Sequence, residues 1–193
     1  MNPEVSSTPL AVEGTTPGRV GRRVAAIGLA AVVVALSAQV VVPLPFSPVP
    51  MTLQPLAVLV VGGLLGPATG AAALVLYIGL GVLGLPVFAG GGSGVLRLLG
   101  PTGGYLLAFP VAAAVSGRLV WTAPGSLLRV LVACALGMVV IHAGGVAQLA
   151  VLGGDPALAF RVGFYPFLTG DLLKVGLATA VILALGPRLR PLL

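Results

Sequence analysis

The stretch Val24–Val42, VAAIGLAAVVVALSAQVVV, runs for 19 residues without a charge and begins directly after Arg22 and Arg23. At 1.5 Å per residue a helix of that length reaches about 28 Å, close to the ~30 Å hydrocarbon core of a bilayer. The rest of the chain agrees with a membrane reading. Of 193 residues, 58% are hydrophobic and 7% charged, against roughly 25% charged in a soluble domain, and the mean hydropathy is +1.17. Folded in water, a domain of this size would still expose about a third of its unfolded surface, and it lacks the polar residues to cover that area. The expected fold is an all-α integral membrane protein of the cell membrane.

Working outward, residues 1–23 read as a polar, disordered cytoplasmic leader carrying Pro3, Pro9 and Pro17, and residues 24–193 as a single membrane domain. The alternative is a signal peptide, ordinary or twin-arginine, with small residues Ala35 and Ser37 near the end of the apolar run. The further apolar spans downstream favour a retained first helix. Pro43, Pro45, Pro48 and Pro50 end that helix after Val42, because each proline removes a donor and keeps the preceding residue out of the α region. Further spans fall at Leu53–Leu65, Pro67–Leu85, Gly104–Val120, Leu127–Leu149 and Tyr165–Leu185, giving six transmembrane helices. With the N-terminus inside, Arg19, Arg22, Arg23, Arg118, Arg129, Arg188 and Arg190 are internal, and only Arg97 and Arg161 are external. The positive-inside rule then places both termini in the cytoplasm. It also accounts for the net charge of +6 better than nucleic acid does, since the cations are dispersed rather than clustered.

Scarcity of polar residues restricts the chemistry. Glu4 and Glu13 lie in the leader, so Asp155 and Asp171 are the only carboxylates in the apolar body. One histidine, His142, and one cysteine, Cys134, cannot alone make a zinc site or an intrachain disulfide. No G-x-x-x-x-G-K-[ST] motif is present, so any ATP is used by another protein. Neither an integral membrane enzyme nor a resident cofactor is expected.

Asp171 and Lys174 stand i, i+3 in the last apolar span. A charge there costs at least ~2.5–3.5 kcal/mol on insertion scales, and intramembrane ionisable residues mark functional sites by default. Extending their face gives Phe164, Phe167 and Ala178, an aromatic floor beneath an acceptor and a donor on which a small polar ring would stack. The competing reading is a mutually neutralising structural pair. A second candidate is the external stretch Gly90–Gly94, followed by Arg97 and Gly100–Tyr105. Its glycines allow positive φ and close backbone approach, and Arg97 is either a carboxylate partner or a solvated loop cation. His142 and Gln148 serve as core hydrogen-bonding residues or line the cavity. Gly79, Gly81 and Gly84 match G-x-G-x-x-G inside an apolar span, the wrong context for a dinucleotide site. Gly62/Gly66/Gly70 and the alanine ridges Ala26/Ala30 and Ala31/Ala35 mark close helix packing, either within the chain or against a partner.

Three blocks carry a resemblance to a known family. They are Pro45–Gln54 (PFSPVPMTLQ), then Gly84–Gly90 (GLPVFAG) running on to Gly100–Pro110 (GPTGGYLLAFP), and Gly163–Lys174 (GFYPFLTGDLLK). In this order they resemble the BioY family, the biotin-specific substrate-binding (S) components of energy-coupling factor (ECF) vitamin transporters. The resemblance implies a six-helix S-component fold with an external biotin cavity roofed by the loops after the first and third helices. It implies a transmembrane coupling (T) subunit and a pair of cytoplasmic ATPases as partners, with Ala26, Ala30, Ala31 and Ala35 of the first helix at the interface. It also implies a toppling of the loaded component toward the cytoplasm. The ligand residues map to Asp171, Lys174 and Arg97, with Gln54, Phe88, Thr102, Tyr105 and Phe164 as cavity walls. An ionised Asp171 suits the ureido N–H groups of biotin, and Lys174 and Arg97 between them suit its carbonyl and carboxylate. The residues 89–94 carry no counterpart of an amide side chain that some members place there. The competing function is a stand-alone secondary carrier for biotin or another small vitamin, coupled to protons through Asp171.

Overall fold

The computed structural model describes residues 17–122 and 125–192. Helix α1 (Pro17–Ser37) is followed by a two-stranded ribbon, β1 (Val41–Val42) and β2 (Met51–Thr52). Helices α2 (Gln54–Leu65), α3 (Pro67–Val82), the short α4 (Leu96–Leu99), α5 (Gly103–Thr122), α6 (Leu127–Gly153), α7 (Pro156–Gly163) and α8 (Leu168–Leu189) complete the fold.

Both ends of α1 differ from expectation. Pro17–Arg23, assigned above to the disordered leader, are helical, since proline at the first helical position sacrifices no hydrogen bond; residues 1–16 lie outside the described residues. At the other end the helix stops at Ser37, five residues before Val42. The Ser37 hydroxyl and the Gln39 amide donate to the carbonyls of Val34 and Ala35 and so satisfy the closing turn. The β-branched Val41 and Val42 then pair antiparallel with Thr52 and Met51, so the proline-rich loop returns across one end of the bundle instead of leaving it.

Four stretches are long and apolar enough to cross a membrane: Gly18–Ser37, Gly103–Thr122, Leu127–Gly153 and Pro156–Leu189. Against the six spans expected, α2 and α3 are shorter apolar helices of 12 and 16 residues, about 18 and 24 Å long. They join at Gly66, whose φ of +81° excludes most side chains, with Pro67 opening α3. The last stretch, expected as one span from Tyr165, is two helices. Asp155 caps α7 by accepting from the Ala157 and Leu158 amides at 2.9 and 3.0 Å, and a 3₁₀ turn over Tyr165–Phe167 leads into α8.

Glycine lets the helices approach. A Cβ on Gly62 would strike the backbone of Ala113 in α5, and one on Gly104 would strike the carbonyl of Gly144 in α6. The glycine ridge is therefore an internal packing face. The alanine ridges also turn inward. Ala30 and Ala31 are buried, with Ile27 and Ala35 packed against the same core, because α1 lies on α3 and α2. Ala30 and Ala31, expected at a partner interface, are therefore covered by the chain itself, whereas Ala26 and Ala35 stay half-buried. The side of α1 turned away from the bundle carries the exposed apolar residues Leu29, Val32, Val33 and Leu36. G-x-G-x-x-G straddles the C-terminal end of α3, following a helix rather than a strand.

Candidate functional site

One end of the bundle encloses a cavity of about 550 Å³, within the usual range for small-molecule sites. Its polar floor comes from α6 and α8. Asp171 lies in the first turn of α8, where a carboxylate also meets the positive end of the helix dipole. Lys174, one turn on, donates from Nζ to Asp171 Oδ1 at 3.0 Å. His142 of α6 places Nε2 at 2.6 Å from Asp171 Oδ2 and Nδ1 at 3.2 Å from the carbonyl of Gly163, the last residue of α7. The same carbonyl accepts from the Tyr105 hydroxyl at 2.6 Å. All three charged or titratable groups of the floor are buried, with 6%, 5% and 7% exposure for Asp171, Lys174 and His142. Asp171 is thus held from both sides, and each of its oxygens keeps a lone pair for a further donor.

The walls are aromatic and amide-bearing. Tyr105 and Phe167 approach the His142 ring at 6.0 and 5.9 Å. Gln54, opening α2, donates to the Tyr77 hydroxyl at 2.7 Å; that hydroxyl donates in turn to Val87 O at 3.1 Å. Phe88, next in the chain, is fully buried with Tyr77 edge-on to it at 5.6 Å. Leading to α4, Gly90, Gly91 and Gly94 take φ between 65° and 88°, which only glycine adopts cheaply. The turn sets the Arg97 guanidinium against Gly92, exposed at the mouth. Arg97 makes no ion pair among the described residues.

Seven of the eight residues expected to bind ligand line this cavity: Asp171, Lys174, Arg97, Gln54, Phe88, Thr102 and Tyr105. The eighth, Phe164, lies outside it, edge-on to His142 at 5.0 Å and stacked on Phe160 at 4.7 Å. The 3₁₀ turn shifts the helical phase, so Phe167 takes the lining position assigned to Phe164. His142 joins the cavity, whereas Gln148 does not; its amide donates to the carbonyls of Leu98 and Gly100 at 2.8 and 2.6 Å and holds the roof. Ser47 ties the proline-rich loop to Val162 O at 2.8 Å in the same way. Among the described residues no three His, Cys, Asp or Glu side chains converge on a point where a metal would sit.

Comparison with known proteins places this architecture. The profile of the BioY family matches residues 8–191. The chain is 39% identical to the biotin transporter BioY of Thermotoga maritima over 142 residues, 74% of this chain and 83% of the relative. It is likewise 39% identical to that of Rhodobacter capsulatus over 171 residues, 80% and 87% of the two chains. Its fold matches the crystal structure of an S-component for biotin from an ECF-type ABC transporter with a TM-score of 0.83, covering 90% of this chain and 95% of that one at 24% identity. With the match running from ahead of α1 to the turn after α8, this membrane protein belongs to the BioY family.

Proposed function

We propose that the chain is the biotin-capturing S component of an ATP-driven ECF importer and has no catalytic activity of its own. The observation that carries this reading is the division of charge in the cavity. At the buried end Asp171 and Lys174 offer an acceptor and a donor side by side, the complement of a ureido ring with N–H groups next to a carbonyl. At the mouth stands the Arg97 guanidinium, suited to a carboxylate through its fork of donors. Phe88, Tyr105 and Phe167 line the space between. Because Lys174 is already committed to Asp171, the ligand carboxylate belongs to Arg97.

Titration of the detergent-purified protein with biotin, riboflavin and thiamine tests the reading. Saturable binding of biotin alone is expected, and a folded sample that binds no biotin ends it. Arg97→Ala is expected to weaken biotin about tenfold while leaving the uncharged biotin amide nearly unaffected, the size of one exposed charge contact. Equal losses for both ligands would move the carboxylate elsewhere.

Six membrane crossings with both termini in the cytoplasm, and energising by a T subunit and two ATPases, belong to the same proposal. The outward side of α1, with open space beside Gly28, is the face left for the T subunit. Co-purification from the native membrane checks it. The second reading, a proton-coupled carrier acting alone, draws support from the Asp171–His142 contact. Biotin uptake into liposomes under a proton gradient, without ATP or partners, would favour it.

A further inference from the structure

We propose that Tyr77, which lies outside the cavity lining, is a positioning residue of this site: its hydroxyl ties the Gln54 carboxamide to the loop carrying Phe88 and fixes which polar atoms Gln54 keeps for a ligand. The proposal takes only its test ligand from the biotin reading.

Tyr77 stands on α3 with none of its surface exposed, so its hydroxyl must find partners inside the protein. It has one hydrogen to give. The Val87 carbonyl, 3.1 Å away, can only accept and takes that hydrogen; among the described residues no other donor reaches it. The hydroxyl oxygen then meets Gln54 with lone pairs alone, and the group 2.7 Å from it is the amide nitrogen. Turning the carboxamide over would set two oxygens face to face or strip Val87 of its donor. On the far side the Thr52 hydroxyl donates to Gln54 Oε1 at 3.3 Å and accepts the Gln54 backbone amide at 3.3 Å. One orientation of the side chain satisfies all of these groups.

Gln54 lines the cavity and is 4% exposed. Tyr77 uses one hydrogen of its Nε2 and Thr52 one lone pair of its Oε1, which leaves the second hydrogen and the second lone pair unclaimed among the described residues. A carboxamide free to rotate would present these two in either order. Held by Tyr77, it presents them in one, and the ordering cost of binding is met before the ligand arrives.

Packing alone does not call for the hydroxyl. The Tyr77 ring lies edge-on to Phe88 at 5.6 Å, and Gly81, one turn further along α3, leaves room for the Phe88 ring, which a Cβ there would enter. A phenylalanine at position 77 would keep that bracket. The oxygen serves Gln54 and Val87, so removing it separates positioning from packing.

Tyr77→Phe is expected to weaken biotin about tenfold, the size of one to two neutral hydrogen bonds, in protein that remains folded in detergent. In a Gln54→Leu background there is no carboxamide left to orient, and the same change should alter affinity less than about threefold. A tenfold loss in both backgrounds, or none in the wild type, would overturn the proposal. A second measurement needs no folded Tyr77 variant. Gln39, Gln54 and Gln148 are the only glutamines in the chain, so ¹⁵N-glutamine labelling, assigned by the signal lost in Gln54→Leu, follows the Gln54 side-chain amide in the wild type. Slow hydrogen exchange with water is expected, and exchange as fast as that of a solvated amide overturns the tie to Tyr77. Wild-type protein that binds no biotin would overturn the function instead, with the exchange rate still deciding the hydrogen bond.

Discussion

The cavity end of the molecule and the middle of the bundle are held together by different means. In the bundle, backbone meets backbone: Gly62 lies on Ala113, and Gly104 and Gly144 meet face to face. At the cavity end single side chains reach across to carbonyls: Ser47 to Val162, Gln148 to Leu98 and Gly100, Tyr77 to Val87. Close packing has no slack, and a methyl group with nowhere to go displaces a helix. A side-chain tie, by contrast, contributes only about 0.5–1.5 kcal/mol net and can be broken without moving a helix. A frame that must stay rigid and a roof that must open for a ligand call for that division.

The largest effect should come from breaking the frame. Gly104→Val puts its Cβ into the Gly144 carbonyl, where only backbone can yield. The expected outcome is loss of the monodisperse folded protein in detergent, read by gel filtration and thermal unfolding. A folded, biotin-binding Gly104→Val protein would remove the distinction between the two regions.

Next come the buried charges. Asp171→Asn keeps the shape but leaves Lys174 without its counter-charge, and breaking one side of a buried pair costs about 3–5 kcal/mol. If that cost falls on the bound state, affinity drops by roughly two to four powers of ten, measured by calorimetry on protein whose melting profile shows it is folded. Lys174→Ala should act in the same direction. If neither changes affinity, the pair is structural and the binding site lies elsewhere.

Gln148→Leu tests the roof alone. Two carbonyl ties are lost, and the loop carrying Arg97 loosens. Biotin should dissociate about five- to tenfold faster, with little change in thermal stability, the size expected for one to two neutral hydrogen bonds. A fall in melting temperature as large as that of a core mutant would show the roof to be part of the frame.

Charge was the most legible property of the sequence. Burying an ion is so unfavourable that Asp171 and Lys174 stood out in an apolar run with no structure in hand. Partners in space were not legible. His142 meets Asp171 only because α6 and α8 pack side by side, 29 residues apart in sequence, and a lone histidine on an apolar helix carries no mark of its neighbour. The alanine ridges announced close packing but not against what. Hydrophobicity also failed to separate helix from strand at the end of α1, since Val40–Val42 are equally apolar in both; β-branching was the available clue. Helix α7 did leave a signal, Asp155 followed by Pro156, a cap and a first-turn proline.

The smallest expected effect sharpens the comparison at the border between cavity and frame. Phe164 and Phe167 stand three residues apart, and an unbroken helix would put both on Asp171's face. The 3₁₀ turn between them breaks that phase, leaving Phe167 in the lining and Phe164 outside it against Phe160. Phe164→Leu should therefore change biotin affinity less than about threefold, while Phe167→Leu, which removes ring surface facing the ligand, should cost more, within the ~0.5–1.5 kcal/mol an aromatic contact adds beyond its area. The two variants differ by the same atoms, so their ratio isolates position from chemistry. Equal losses would mean that ligand binding straightens the turn into continuous helix and restores the face that the sequence alone suggests.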